Sequence, residues 1–102
     1  MKTRHHILIR STCPVNGDTD FYDCFVYTAN RVLPCEEVAE AVESLTRDPV
    51  YQEVLTQQLA ERLQAKVKTV GRHAAGNIET TVVCRPTRRG AVSPTTQERR
   101  AS

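Results

Sequence analysis

Cys13-Pro14-Val15-Asn16-Gly17-Asp18-Thr19-Asp20-Phe21 sets a thiol and a carboxylate at the two ends of one short reversal. Pro14 and the Asn16-Gly17 pair demand a turn. On its far side, Asp20 to Thr28 is aromatic and β-prone, with Phe21, Phe25 and Tyr27 on one side and Tyr22, Cys24 and Val26 on the other. On its near side, His6 to Ser11 is a short apolar strand. A turn between two strands brings Cys13 towards Asp20. A thiolate is the strongest ordinary nucleophile at neutral pH, and a nearby acid can protonate what it creates. The loop therefore reads as a covalent-catalysis site. An ordinary surface turn that carries a cysteine would show the same spacing, and both readings stand on the spacing alone.

Downstream of the hairpin the period changes. Pro34 stops strand pairing and suits a helix entry. Val38, Val42 and Leu45 then recur at helical spacing. Asp48-Pro49 reads as a cap and first-turn proline for a second helix, with Val54, Leu55, Leu59 and Leu63 as its buried stripe. Lys66 to Arg72 and Ile78 to Cys84, rich in Thr and Val, form a last hairpin around Ala75-Gly76-Asn77. The order is ββααββ: an α+β domain with a four-stranded antiparallel sheet and two helices on one face. The other face has no helix to cover it. Bare edges and a bare face predict a homo-oligomer whose sheets join edge to edge.

The chain has 102 residues, enough for one domain with a modest core. Its organisation reads as a folded domain over 1–84 and a disordered basic tail over 85–102. The tail holds five arginines against one glutamate, a net +4 in a chain that totals +2, so residues 1–84 total −2. Such a tail can hold a polyanion without sequence preference, or serve only as a solubilising end. No apolar run approaches the roughly 20 residues that span a membrane, and Ile7-Leu8-Ile9 is too short for a signal-peptide core. The expected location is cytoplasmic, with Cys13, Cys24, Cys35 and Cys84 as free thiols. No CxxC or HxxxH spacing occurs, so a metal site is not expected.

The loop Cys13-Pro14-x-x-Gly17-x-x-Asp20-Phe21 is similar to the active-site loop Cys-Pro-x-Thr-Gly-x-Pro-Asp-Phe of the QueF family, the 7-cyano-7-deazaguanine (preQ0) reductases. Asn16 replaces the usual Thr, and Thr19 the usual Pro. The ββααββ order resembles the tunnelling fold, or T-fold, of that family. The resemblance covers about residues 6–84. It implies that Cys13 attacks the nitrile carbon to give a covalent thioimide and that Asp20 is the general acid. Tyr51-Gln52-Glu53 sits where the family carries Phe-His-Glu, whose Glu grips the base; the substrate-binding role falls on Glu53 and Gln52. The chemistry of Glu53 agrees, since a carboxylate can accept the adjacent N–H and NH2 of a guanine-like edge as a bidentate pair. Glu36 matches the first position of the family's Glu-Ser-Lys-Ser-Leu signature. Apart from the resemblance, His73, before the last turn, could orient a group at the site or be a solvated turn residue.

The cofactor segments depart from the reductases. Glu37, Val38 and Ala39 replace Ser, Lys and Ser, and Ala74-Ala75-Gly76-Asn77-Ile78 replaces a Pro-Arg-Gly-Gly-Ile turn. Two cations that could meet the phosphates of NADPH are missing. The chain looks more like the short QueF-like branch, amidinotransferases that add ammonia to preQ0 in tRNA to give archaeosine. That resemblance implies ammonia as co-substrate, no cofactor, no metal, a 7-deazaguanine base held free or in tRNA or DNA, and sites at subunit interfaces of a homo-oligomer. A reductase using NADPH is the alternative. A non-catalytic oligomer that binds a purine or a nucleic acid is the reading from another class.

Overall fold

The computed structural model describes residues 1–73 and 77–87 and has the expected element order: β1 (Lys2–Thr12), β2 (Thr19–Ala29), α1 (Cys35–Leu45), α2 (Gln52–Leu63), β3 (Lys66–His73) and β4 (Ile78–Cys84). The sheet runs β1-β2-β3-β4, antiparallel throughout. Ile9, Tyr22, Cys24, Val26, Val67 and Thr69 point to one face, where they are buried together with Val38 and Ala41 of α1 and Leu55, Leu59 and Leu63 of α2.

Two boundaries differ from the sequence reading by more than one residue. β1 begins at Lys2, not at His6. Its first residues are polar and show no apolar signal, but β2 is long enough to pair with all of them, from Lys2–Ala29 to Thr12–Thr19. The far end is tied by the Met1 ammonium on Asn30 Oδ1 at 3.0 Å and by the Asn30 N–H on the Met1 carbonyl at 2.8 Å. α2 begins at Gln52, with Tyr51 as its N-cap, and does not use Asp48-Pro49. The reason is Val50, whose N–H donates to the Thr12 carbonyl at 3.2 Å and holds the chain extended beside the β1–β2 loop. The buried stripe of α2 is accordingly Gln52, Leu55, Thr56, Leu59, Ala60 and Leu63, while Val54, expected in it, is 43% exposed.

The helix-free face carries basic and aromatic residues beside exposed apolar ones. The Arg4 guanidinium lies 5.1 Å over the Phe25 ring and Lys68 Nζ 5.4 Å from it, and Lys66 Nζ stands 5.1 Å from the centre of Tyr27. His6 stacks on Phe25, and its Nε2–H donates to Asp23 Oδ1 at 2.8 Å. Leu8 and Phe21 remain largely exposed on this face. Arg85 to Thr87 return along α2, where Glu61 accepts from the Thr87 N–H and hydroxyl, both at 2.9 Å. The rest of the expected tail, 88–102, and the turn residues 74–76 lie outside the described residues.

Burial holds two acids of this core in their protonated forms. It pushes the Cys24 thiol up to about 12 from an ordinary 9.0, and it is the largest of the causes that raise the Tyr22 phenol above its ordinary 10.0. Each group binds its proton more tightly folded than unfolded. Their effect on stability is therefore flat below about pH 9 and is lost as pH rises, first through Cys24 and then Tyr22. Denaturant titrations should show unfolding free energy falling above pH 9 by on the order of 1 kcal/mol per pH unit for each group. Cys24→Ala should flatten the segment between pH 9 and 10 while lowering the baseline by leaving a small cavity.

Candidate active site

The β1–β2 loop is built as a closed reversal. The Cys13 N–H donates to the Asp18 carbonyl at 2.8 Å, and the Gly17 N–H donates to the Cys13 carbonyl at 2.9 Å. Asn16 Oδ1 accepts from the Asp18 N–H at 2.9 Å. Gly17 has φ +78°, the left-handed region that glycine enters without cost, which is why this turn takes Asn16-Gly17. The reversal fixes Cys13, half-buried, at the end of β1, and Asp20, also half-buried, one residue into β2.

The third wall comes from α2, whose first turn is fastened to the sheet by a closed circuit of hydrogen bonds. Gln52 Nε2 donates to Thr69 Oγ1 at 3.1 Å, and Thr69 and Thr56 share a hydroxyl bond of 2.7 Å. The Thr56 hydroxyl donates to the Gln52 carbonyl at 2.7 Å. Because Thr56 spends its proton on that carbonyl, Thr69 is the donor in the shared bond, and the circuit runs Gln52 to Thr69 to Thr56 and back to Gln52. The same amide nitrogen reaches the carbonyls of Thr69 at 3.3 Å and Thr80 at 3.0 Å, so one side chain spans α2, β3 and β4.

These elements enclose a cavity of about 270 Å³ lined by Cys13, Asp20, Tyr22, Gln52, Glu53 and His73, among others. It opens into an outer groove of about 720 Å³ that shares Cys13, Asp20, His73 and Thr80 and adds Asp18, Phe21 and Arg72. Cys13, Asp20, Glu53, Gln52 and His73, five of the six residues singled out in the sequence, thus meet in one place. Glu36 does not: it stands on the first turn of α1 and lines a separate shallow groove with Glu37, Glu40 and Glu43. Gln52 is 4% exposed, and its amide hydrogens are committed to the sheet. Only its Oε1 faces the site, 3.4 Å from His73 Nε2, so it supports His73 rather than reaching a ligand. Glu53 is exposed on the first turn of α2, where the helix N-terminus favours a carboxylate.

The sequence reading placed Tyr22 on the strand side of Cys24 and Val26 and gave it no role at the site. The structure puts its hydroxyl 3.4 Å from Asp20 Oδ2, and burial, then Asp20, then the charges of Cys13 and Glu53, push the phenol well above its ordinary range. Alternation along β2 was the available signal, since it places Asp20 and Tyr22 on the same side.

A second concave region lies at the opposite end of the sheet. A groove of about 610 Å³ is lined by Lys2, Arg4, Arg31, Lys66 and Arg85, with no carboxylate among its described lining residues. Arg31 is fixed there by donating to the Leu63 and Gln64 carbonyls at 2.6 and 2.9 Å, which also caps α2. From Arg4 to Thr12, β1 covers eight steps, about 27 Å at strand rise, between this groove and the loop of Cys13. Among the described residues no helix is long and apolar enough to cross a membrane.

Strand order, helix placement and the open sheet face define a tunnelling-fold domain. Among solved structures, the apo crystal structure of the archaeosine synthase QueF-Like shares this fold, with a TM-score of 0.69 and 23% sequence identity over 90% of this chain and 96% of that one. No family model and no curated protein matches the sequence.

The hydrogen-bond circuit is open to test. Thr56→Val or Thr69→Val keeps the shape but leaves buried partners unpaired, so each should cost about 1–3 kcal/mol in chemical denaturation. The double variant should cost clearly less than the two together, because both break the same circuit.

Proposed function

We propose that this protein forms a thioimide between Cys13 and the nitrile of a 7-cyano-7-deazaguanine base and converts it to an amidine with ammonia. The observation that supports this reading most is the meeting of Cys13, Asp20 and Glu53 in one cavity. At about 270 Å³ the cavity lies just below the roughly 300–1,000 Å³ usual for drug-sized ligands, a size suited to a single flat base. Glu53 accepts the paired N–H donors of the base edge. As the Sγ–C bond forms, one π pair of the nitrile moves to nitrogen, and Asp20 delivers to it the proton taken from the thiol. Ammonia then adds to the thioimide carbon, and the thiol leaves to give the amidine. No oxidation occurs.

Charge supports the amidine over reduction. Among the described residues lining the outer groove, the one cation, Arg72, is paired with Glu79 at 3.2 Å, beside Asp18 and Asp20. A dinucleotide rich in phosphate finds little there to hold it. The groove lined by Lys2, Arg4 and Lys66 supports a base carried in a polynucleotide, with phosphates at one end of the sheet and the reacting base at the other. The protein works as a homo-oligomer joined through β1 and β4, which lie at the sheet's two edges.

Intact-mass analysis with preQ0 should show one adduct, absent in Cys13→Ala, and Asp20→Asn should form it about 100-fold more slowly, the scale of a lost proton donor. Ammonium should discharge the adduct to an amidine. Cys13-dependent loss of NADPH absorbance would make the protein a reductase, and no adduct at saturating base would make it a binding module.

The cationic groove yields a separate expectation. Arg4→Glu with Lys66→Glu should weaken RNA binding at least tenfold in anisotropy titrations and flatten its salt dependence by about two counterions. Adduct formation with the free base should not change. Equal RNA affinity would move the polynucleotide to another surface.

A further inference from the structure

We propose that Tyr22 is a positioning residue, whose hydroxyl holds Oδ2 of Asp20 so that Oδ1 faces the Cys13 thiol, and that Gly71 is the seat that makes this placement available. The proposal rests on the reading of Cys13 and Asp20 as the reacting pair.

Two geometric facts carry it. Asp20 and Tyr22 leave β2 on the same side, and the hydroxyl lies 3.4 Å from Oδ2. That is long for an O–H···O bond, and catalytic hydrogen bonds often tighten only when substrate fills the site. Tyr22 also stands directly opposite Gly71 in the β2–β3 register. A Cβ at position 71 would lie 2.6 Å from Cε1 of the ring and closer still to Cδ1. Any other residue there would force the ring, and with it the hydroxyl, away from Asp20. Gly71 needs no unusual backbone angle, so space for this ring is the physical reason for a glycine in mid-strand.

The ionisable groups around the phenol are Asp20 on β2, Cys13 on the loop and Glu53 on α2, with His73 of β3 on the same cavity wall. Three of these groups are acids, and a neutral hydroxyl is the donor placed among them. Its one O–H donates a hydrogen bond to Asp20 Oδ2 and keeps its proton. The free oxygen Oδ1 then takes the thiol proton and passes it to the nitrile nitrogen, so the proton count is unchanged and Tyr22 stays neutral.

Tyr22→Phe keeps the ring on Gly71 and removes only the hydroxyl. Its melting temperature should stay near the parent's, while adduct formation falls about tenfold, equivalent to about 1.4 kcal/mol of transition-state stabilisation. Without the donor the Asp20 carboxylate is less favoured, so the acid limb of the pH–rate profile should move to higher pH. Glu53 and His73 are common to both proteins and cancel in the comparison. Gly71→Ala, which dislodges the ring, should shift the profile the same way with a lower melting temperature. Iodoacetamide labelling of the Cys13 peptide, followed by mass spectrometry against pH, reads the pair with no nitrile present. In Tyr22→Phe, the Asp20 charge is less neutralised, and rapid labelling should begin at higher pH. If the parent formed no preQ0 adduct, the thioimide reading would fail while the labelling shift still supported Tyr22. Identical labelling curves and identical adduct rates in parent and Tyr22→Phe would overturn the role of Tyr22 and leave the thioimide reading intact.

Discussion

The closed circuit of Gln52, Thr69 and Thr56 is the joint on which the rest of the molecule turns. It is buried, every donor in it has an acceptor, and it links the first turn of α2 to β3, with a branch to the Thr80 carbonyl on β4. Buried polar groups of this kind tolerate few alternatives, because any other placement of the helix strands a hydroxyl or an amide in an apolar surrounding. Leu55 and Leu59 would accept small slides of α2 over the sheet; the circuit does not. Glu53 comes next in the chain after Gln52, so its place at the cavity mouth follows from the polar joint more than from its own contacts.

The opposite wall is fixed by a different device. The Cys13–Asp18 reversal is closed by its own backbone, and the Val50 N–H on Thr12 fastens it to the segment that enters α2. Two rigid pieces, a hairpin turn and a helix end, therefore meet across the cavity with one short tether between them. A thiol and a carboxylate on such supports would lose little ordering entropy on meeting a ligand.

Much of this was written locally in the sequence. The turn signals of Asn16-Gly17 gave the hairpin, period-2 alternation gave β2, and the Leu55, Leu59, Leu63 spacing gave α2. Cys13, Asp20 and Glu53 were legible as candidates because each lies in a short stretch whose residue types suit the chemistry proposed, and they line one cavity. What stayed hidden depends on distance along the chain. The start of β1 has no apolar signal and becomes a strand only because β2 offers partners. Asp48-Pro49 has the composition of a helix start, but the amide of Val50 was needed elsewhere. Gln52 looked like a ligand contact, and only Thr69 and Thr80 show that its amide is occupied. The cationic groove draws on both ends of the sheet strands, from Lys2 to Arg85, and no window of sequence contains it. Glu36 belongs to the same α1 surface as Glu37, Glu40 and Glu43, away from Cys13 within one chain.

The rings of Phe25 and Tyr27 on the helix-free face lie beneath Arg4, Lys68 and Lys66. An aromatic sheet face would ordinarily invite another such face to stack on it. Here each ring wears a cation, so two copies approaching face to face bring like charges together and must strip their hydration. The same charges sit above the plane of the sheet and leave the hydrogen-bonding edges of β1 and β4 open. Repulsion between faces thus works against stacked aggregates and leaves the strand edges as the places where an approach would cost least.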